Sequence, residues 1–223
     1  MSWLIRSRIV FEKNPTASGP RRSRVVQRRG MERRRAILEA AEVLLGEQGY
    51  EAATLKAIGE RAGIPTASVY HYFPDRHEVD AELMRQHAGA MDALISAALD
   101  KPTLRTLRDA VDAVIDPVVD YFRRHPSCVE LWFARANGTL DEVVRAFDES
   151  QADRMWHFAI ARKLLPLDTP QLVPRLAWAA GNHLFEVAFR RSPTGDDAVI
   201  DEARRLVTAY LATYDVPTRE RRG

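Results

Sequence analysis

Thr66, Ala67, Ser68, Tyr70 and His71 lie close together and combine small, hydroxyl and polar aromatic side chains. On a helix, Thr66, Ala67, Tyr70 and His71 share one side, with Ser68 near the start, while Val69 and Phe73 point away from it. Short polar groups of this kind can approach base edges in a major groove, so the chemistry on offer is hydrogen-bond and methyl readout of DNA. A second set is aromatic: Tyr121, Phe122, Trp132, Phe133, Trp156, Phe158, Trp178 and Phe185, interleaved with Arg135, Asn137, His157, Asn182 and His183. Aromatic walls with a few convergent polar groups suit a small-molecule cavity. Trp132, Trp156, Trp178, Asn182 and Phe185 are the expected lining, although aromatics at helical spacing also build cores.

Other chemistry is thinly represented. The sequence has no nucleophile elbow, no phosphate-cradling glycine loop and no H-E-x-x-H pair, so the chain is expected not to be an enzyme and to need no cofactor. His87, His125, His157 and His183 are scattered, and none has a convincing helical metal partner, so no metal site is expected. Asp153 lies four residues before His157, which reads as a surface salt bridge. His87, on an apolar helix face, is expected to be a buried, hydrogen-bonded histidine. The single cysteine, Cys128, excludes an intramolecular disulfide. It would serve as a thiol sensor only with a lowered pKa. A thiol- or metal-responsive sensor and a helical interaction module without ligand remain as alternative readings.

At 223 residues, with 46% hydrophobic and 29% charged residues, the chain has the composition of an ordinary globular protein. No apolar run approaches the roughly 20 residues needed to span a bilayer, and Arg6 and Arg8 interrupt the only N-terminal apolar stretch. A cytoplasmic location is expected. The net charge of +2 conceals a segregation: residues 1–30 carry +7, residues 31–77 carry −1 and residues 78–223 carry −4. A basic arm ahead of a mildly acidic body suits a polyanion partner. The same arm also fits a disordered solubilising extension, or an upstream start codon with Met31 as the usual first residue.

These groups need helices to position them. Residues 14–30 lack an apolar period and contain two prolines, so residues 1–30 are expected to form a flexible arm. Ile37, Ala40, Ala41, Leu44 and Leu45 then recur at steps of three and four, which predicts a helix over 32–48 ending before Gly49. Thr54 caps a short helix over 54–61, Gly63 turns the chain, and a third helix runs over 65–72. A steep crossing of the second and third helices through a tight glycine turn is a helix-turn-helix. Asp75 opens a long fourth helix carrying His87. Further helices are expected near 103–124, 127–137, 140–165, 170–190 and 196–213, with Pro117 kinking or restarting the first of these. The fold class is all-α: a DNA-binding head over residues 31–77, followed by a larger helical domain over 78–223.

From about Arg34 to Val79 the sequence resembles the TetR family of bacterial transcriptional regulators. The match rests on the Gly49-Tyr50 turn, Thr54, the Ile58…Ala62-Gly63-Ile64 run, and Val69-Tyr70-His71-Tyr72-Phe73-Pro74 followed by Arg76. The resemblance implies that Thr54 and Tyr70 hold DNA phosphates, that Lys56 reaches DNA, and that Thr66, Ala67, Ser68 and His71 read bases. It also implies that Arg76 is aimed at a phosphate, where the family often has lysine. Gly59 replaces the usual alanine, at a cost of roughly 1 kcal/mol in helix propensity. Pro65 stands where serine is more common. The head is nearly neutral, so Arg33, Arg34, Arg35 and the arm are expected to supply ionic contacts. The resemblance further implies a homodimer through the last two long helices on near-palindromic double-stranded DNA. It implies a small-molecule effector, and repression as the usual outcome.

Overall fold

The computed structural model describes residues 20–134 and 138–214. Among them all regular structure is helical: α1 Pro20–Gln48, α2 Leu55–Ala62, α3 Thr66–Tyr72, α4 Arg76–Leu99, α5 Leu107–Arg124, α6 Pro126–Ala134, α7 Gly138–Ala161, α8 Leu172–Arg191 and α9 Asp197–Ala212. The first helix begins at Pro20, inside the stretch expected to be a flexible arm. Proline is tolerated in a first helical turn, and arginine, glutamine and glutamate are good helix formers. An Arg28–Glu32 ion pair one turn apart, at 3.1 Å, joins the two sides of Gly30. Among the side chains described from residue 27 onward, the first of α1 to reach the core are Ile37 and Leu38. Residues 1–19 of the expected arm lie outside the described residues.

The termini of the head follow local chemistry. The Thr54 hydroxyl accepts the Ala57 backbone N–H at 3.2 Å and opens α2. Gly63, at φ 64°, closes it in the left-handed region, which other residues enter at a cost. Gly59 turns out to be a packing requirement as well as a loosened helix position. A Cβ there would stand 2.9 Å from the Ile64 carbonyl oxygen, which is how α3 comes so close to α2. Pro65 caps α3 without a side-chain hydrogen bond.

α4 links head to body, packing against α1, α5, α6 and α7, while α8 lies along α9 and α5 packs on α9. A connected set of buried residues runs from Ile37 and Val69 in the head, through Met84 and Met91 on α4, to Phe185 and Leu211. Pro117 does not divide α5, which continues through it. Val114, Ile115, Val118 and Val119 around it are all buried, and that packing offsets the lost backbone hydrogen bond.

Candidate nucleic-acid interface and effector cavity

α3 is anchored from behind by Val69 and Phe73, both at most 1% exposed, with the Arg34 guanidinium over the Phe73 ring at 4.5 Å. Its other side presents Ala67, Tyr70 and His71 to solvent, with Thr66 and Ser68 half-buried at its start. Thr54 and Lys56 are exposed on the adjoining α2. These seven expected DNA contacts therefore fall on the two helices that meet at the Gly63 turn.

Arg76 is placed apart from them. Its side chain turns inward, with the guanidinium 3.8 Å from the centre of the Tyr50 ring and Nε 3.4 Å from Asp80 Oδ2. That separation is long for a hydrogen bond, and Nε and Nη2 are buried without well-formed partners, so charge and the ring face hold the group. Asp80 is 1% exposed and demands a cation nearby. The Tyr50 hydroxyl also donates to Asp80 at 2.9 Å. Burial, opposed by Arg76, raises the Asp80 pKa, while burial and the bond to Asp80 push Tyr50 up to about 12. The same turn is held from the other side, where the Tyr50 backbone N–H donates to Glu130 on α6. Two of the arginines expected to serve DNA also have internal partners, Arg34 with Glu82 at 3.4 Å and Arg35 with Glu39 at 2.6 Å.

In the body, Trp132, Trp178, Asn182 and Phe185 line one cavity of about 70 Å³ among α4, α5, α6, α7, α8 and α9. Trp156 does not join them: its indole N–H donates to the Thr169 carbonyl at 2.8 Å. Met155 takes the cavity position on α7, and one helical step of about 100° carries Trp156 away from it. Periodicity along α4 and α5 could have added Met91, Val111, Val114 and Val118, which complete the apolar wall. Its polar groups are committed to one acceptor, because Trp178 Nε1 and Asn182 Nδ2 each donate to Asp148 Oδ1 at 2.7 Å. A second hollow of about 330 Å³, shared through Trp132 and Asn182, is rimmed by Asp141, Arg145, Asp148, Glu149 and Glu186. Arg135 and Asn137 lie outside the described residues.

Three sequence readings resolve here. Cys128 is fully buried, and burial pushes its thiol pKa well up, which is the wrong direction for a thiol sensor. Asp153 pairs with Arg175 at 3.1 Å. His87 is 4% exposed, with Nδ1 2.8 Å from the Tyr121 hydroxyl. Burial and the nearby His125 lower its pKa to about 4, so the imidazole is neutral at pH 7. Helical spacing gave no sign that His87, His125 and Glu42 come together, as they do.

Two family profiles match the chain: "Bacterial regulatory proteins, tetR family" over residues 37–83, and "Tetracyclin repressor-like, C-terminal domain" over residues 106–211. Together they account for the head and most of the body. The chain belongs to the TetR family. It is a transcriptional regulator of that family, and TetR regulators bind DNA and small-molecule effectors and function as dimers. The HTH-type transcriptional repressor KstR2 of Mycobacterium tuberculosis is 34% identical over 86 residues, 39% of this chain but only 37% of that protein. The HTH-type transcriptional regulator BetI of Rhizobium meliloti is 27% identical over 188 residues, 82% of this chain and 92% of that one. A TetR-family regulator structure from Streptomyces coelicolor superposes with a TM-score of 0.64 at 26% identity, covering 82% of this chain and 99% of that one. Among the described residues no helix is long and apolar enough to cross a membrane.

Proposed function

We propose that this TetR-family protein is a dimeric repressor that reads a near-palindromic operator through α3 and releases it when a small apolar molecule enters the body cavity. The observation that carries this reading is the α3 surface, where Ala67, Tyr70 and His71 are exposed over a fully buried Val69 and Phe73. Thr54, Lys56, Thr66 and Ser68 complete the contact surface, Tyr70 and Thr54 toward phosphates and His71 toward bases. The domain scheme that goes with it is an arm over 1–30, a head over 31–77 and an effector-binding body over 78–223. The protein works by binding rather than turnover, in the cytoplasm where its DNA target lies.

The dimer surface is read from how α8 and α9 divide their apolar residues. Phe185, Ala188, Phe189 and Leu211 go to the core, whereas Leu172, Leu176 and Leu206 remain 60%, 48% and 47% exposed. Exposed leucines in a row along two packed helices are a typical association face. Trp132, Trp178, Asn182 and Phe185 would contact the effector, whose apolar body suits the cavity wall. Ligand entry would shift the population toward a dimer with wrongly spaced heads, with α4 carrying the motion.

A gel shift with DNA from upstream of the protein's own coding sequence tests the reading. Binding at low salt by wild type, lost in Tyr70→Ala and His71→Ala variants that melt normally, is expected. No binding to any such DNA at low salt would sink it.

A further inference from the structure

Where α1, α4 and the end of α5 meet, packing gathers three side chains that are distant in sequence. Glu42 comes from α1, His87 from α4, and His125 from the residue that caps α5. One carboxylate oxygen and one nitrogen from each imidazole lie within 4.8 Å of one another. Glu42 Oε1 and His125 Nδ1 are 3.5 Å apart, too long for a good hydrogen bond. The separation is close to the roughly 3.3 Å edge of a tetrahedron with metal–ligand bonds of about 2.05 Å.

The surroundings orient these ligand atoms. Tyr121 stacks on His125, ring centres 4.2 Å apart, and places its hydroxyl 2.8 Å from His87 Nδ1. The other His87 nitrogen has the Ser127 hydroxyl at 3.4 Å. A hydroxyl on one ring nitrogen sets the orientation of a ligating imidazole, as outer partners do in metal sites. His87 is buried, while the Glu42 and His125 side chains are 38% and 31% exposed. Those two can move the further ångström or so that coordination requires, and an ion has a way in.

We propose that Glu42, His87 and His125 bind a transition-metal dication of the zinc class, at a site separate from the apolar cavity. Two imidazoles and one carboxylate suit zinc, cobalt or nickel, and disfavour magnesium and calcium, which take oxygen ligands. Three protein ligands leave a fourth position for water or another donor. Because Glu42 rides on the first helix of the head and His125 on the body, a bound ion ties α1 to α4 and α5. It stiffens the joint through which head spacing is set. This last consequence rests on the regulator reading; metal binding itself does not.

The test uses the untagged full chain after chelator treatment. Titration with Co²⁺ alone is expected to develop the visible absorption of a four-coordinate nitrogen/oxygen site, saturating at one ion per chain, with Zn²⁺ displacing it. Glu42→Gln and His125→Gln replace half-exposed side chains, so each variant should melt as the wild type does without metal. Each should bind Co²⁺ at least about tenfold more weakly. Tyr121→Phe, which removes only the hydroxyl, is expected to weaken binding by roughly 10–100-fold. Absence of saturable binding up to the order of a millimolar would overturn the proposal, as would binding unchanged in the Glu42→Gln/His125→Gln double variant. The spectral readout involves no DNA, so its outcome is independent of the operator-binding test.

Discussion

Arg76→Ala separates two roles that the same side chain could play. Its guanidinium faces the Tyr50 ring at 3.8 Å and lies 3.4 Å from the fully buried Asp80 carboxylate. Breaking a buried ion pair by removing one partner costs about 3–5 kcal/mol, and the lost ring contact adds up to about 2 kcal/mol. The Tyr50 hydroxyl donates to Asp80 with or without Arg76, so the carboxylate is not left bare and the loss falls at the low end of that range. The net loss is then about 3 kcal/mol, a fall in Tm of about 6–12 °C for a chain of this size at fixed protein concentration. Asp80 sets how the deficit varies with pH. Burial raises its folded pKa, and removing Arg76 raises it further. A carboxyl with a folded pKa above its unfolded one withdraws stability as pH rises between the two. The deficit should therefore shrink as pH is lowered from neutral and Asp80 takes up its proton. Lys56→Ala is the counterpart. That side chain is 78% exposed, so stability should change by no more than about 0.5 kcal/mol. The slope of log affinity for DNA against log salt should fall by about 0.9 if one phosphate contact is lost. Thermal melts and salt-dependent fluorescence anisotropy of both variants make the comparison. An Arg76→Ala protein with unchanged Tm and a slope reduced by about one unit would refute the reasoning and return Arg76 to the DNA.

Other perturbations address the remaining parts of the molecule. Gly181→Ala lines the cavity with a methyl group 3.6 Å from Val207, an ordinary contact, so urea denaturation should show a gain of about 0.5–1 kcal/mol from helix propensity. A loss of stability would mean that α8 is already tightly packed there. Leu206→Glu, at a 47% exposed position, should leave the helical circular dichroism intact and yield monomers in sedimentation velocity; dimers would move the interface elsewhere. Starting the chain at Met31 removes a net charge of +7, and DNA binding should lose about 0.9 of salt slope for every phosphate contact the arm makes. An unchanged slope would make the arm a bystander. For a small apolar fluorophore in the cavity, Trp178→Phe should alter affinity by freeing Asp148 from one donor. Trp156→Phe, bonded away at Thr169, should not.

The head was legible because its determinants are local. A capping threonine at Thr54, a left-handed glycine at Gly63 and apolar residues at helical steps act within one or two turns, so the sequence alone places α2 and α3 and the buried side of each. The start of α1 was less legible: two prolines and a missing apolar period point to a linker over 14–30, yet the helix begins at Pro20. Three-dimensional packing decided the rest. The inward turn of Arg76 comes from Asp80 and Tyr50, the latter outside its own helix, and Trp156 leaves the cavity because of how α7 is rotated against α8. Which leucines of α8 and α9 close the core, and which stay exposed, depends on how those helices sit on α5 and α7. Glu42, His87 and His125 meet only through the crossing of α1, α4 and α5, since helical spacing pairs residues within an element and cannot report a junction between elements. Residue type and spacing determined the fold class and the family, and they singled out the exposed side of α3 proposed to read DNA. The tertiary structure decided which polar side chains are spent on internal contacts and which remain free to bind something else.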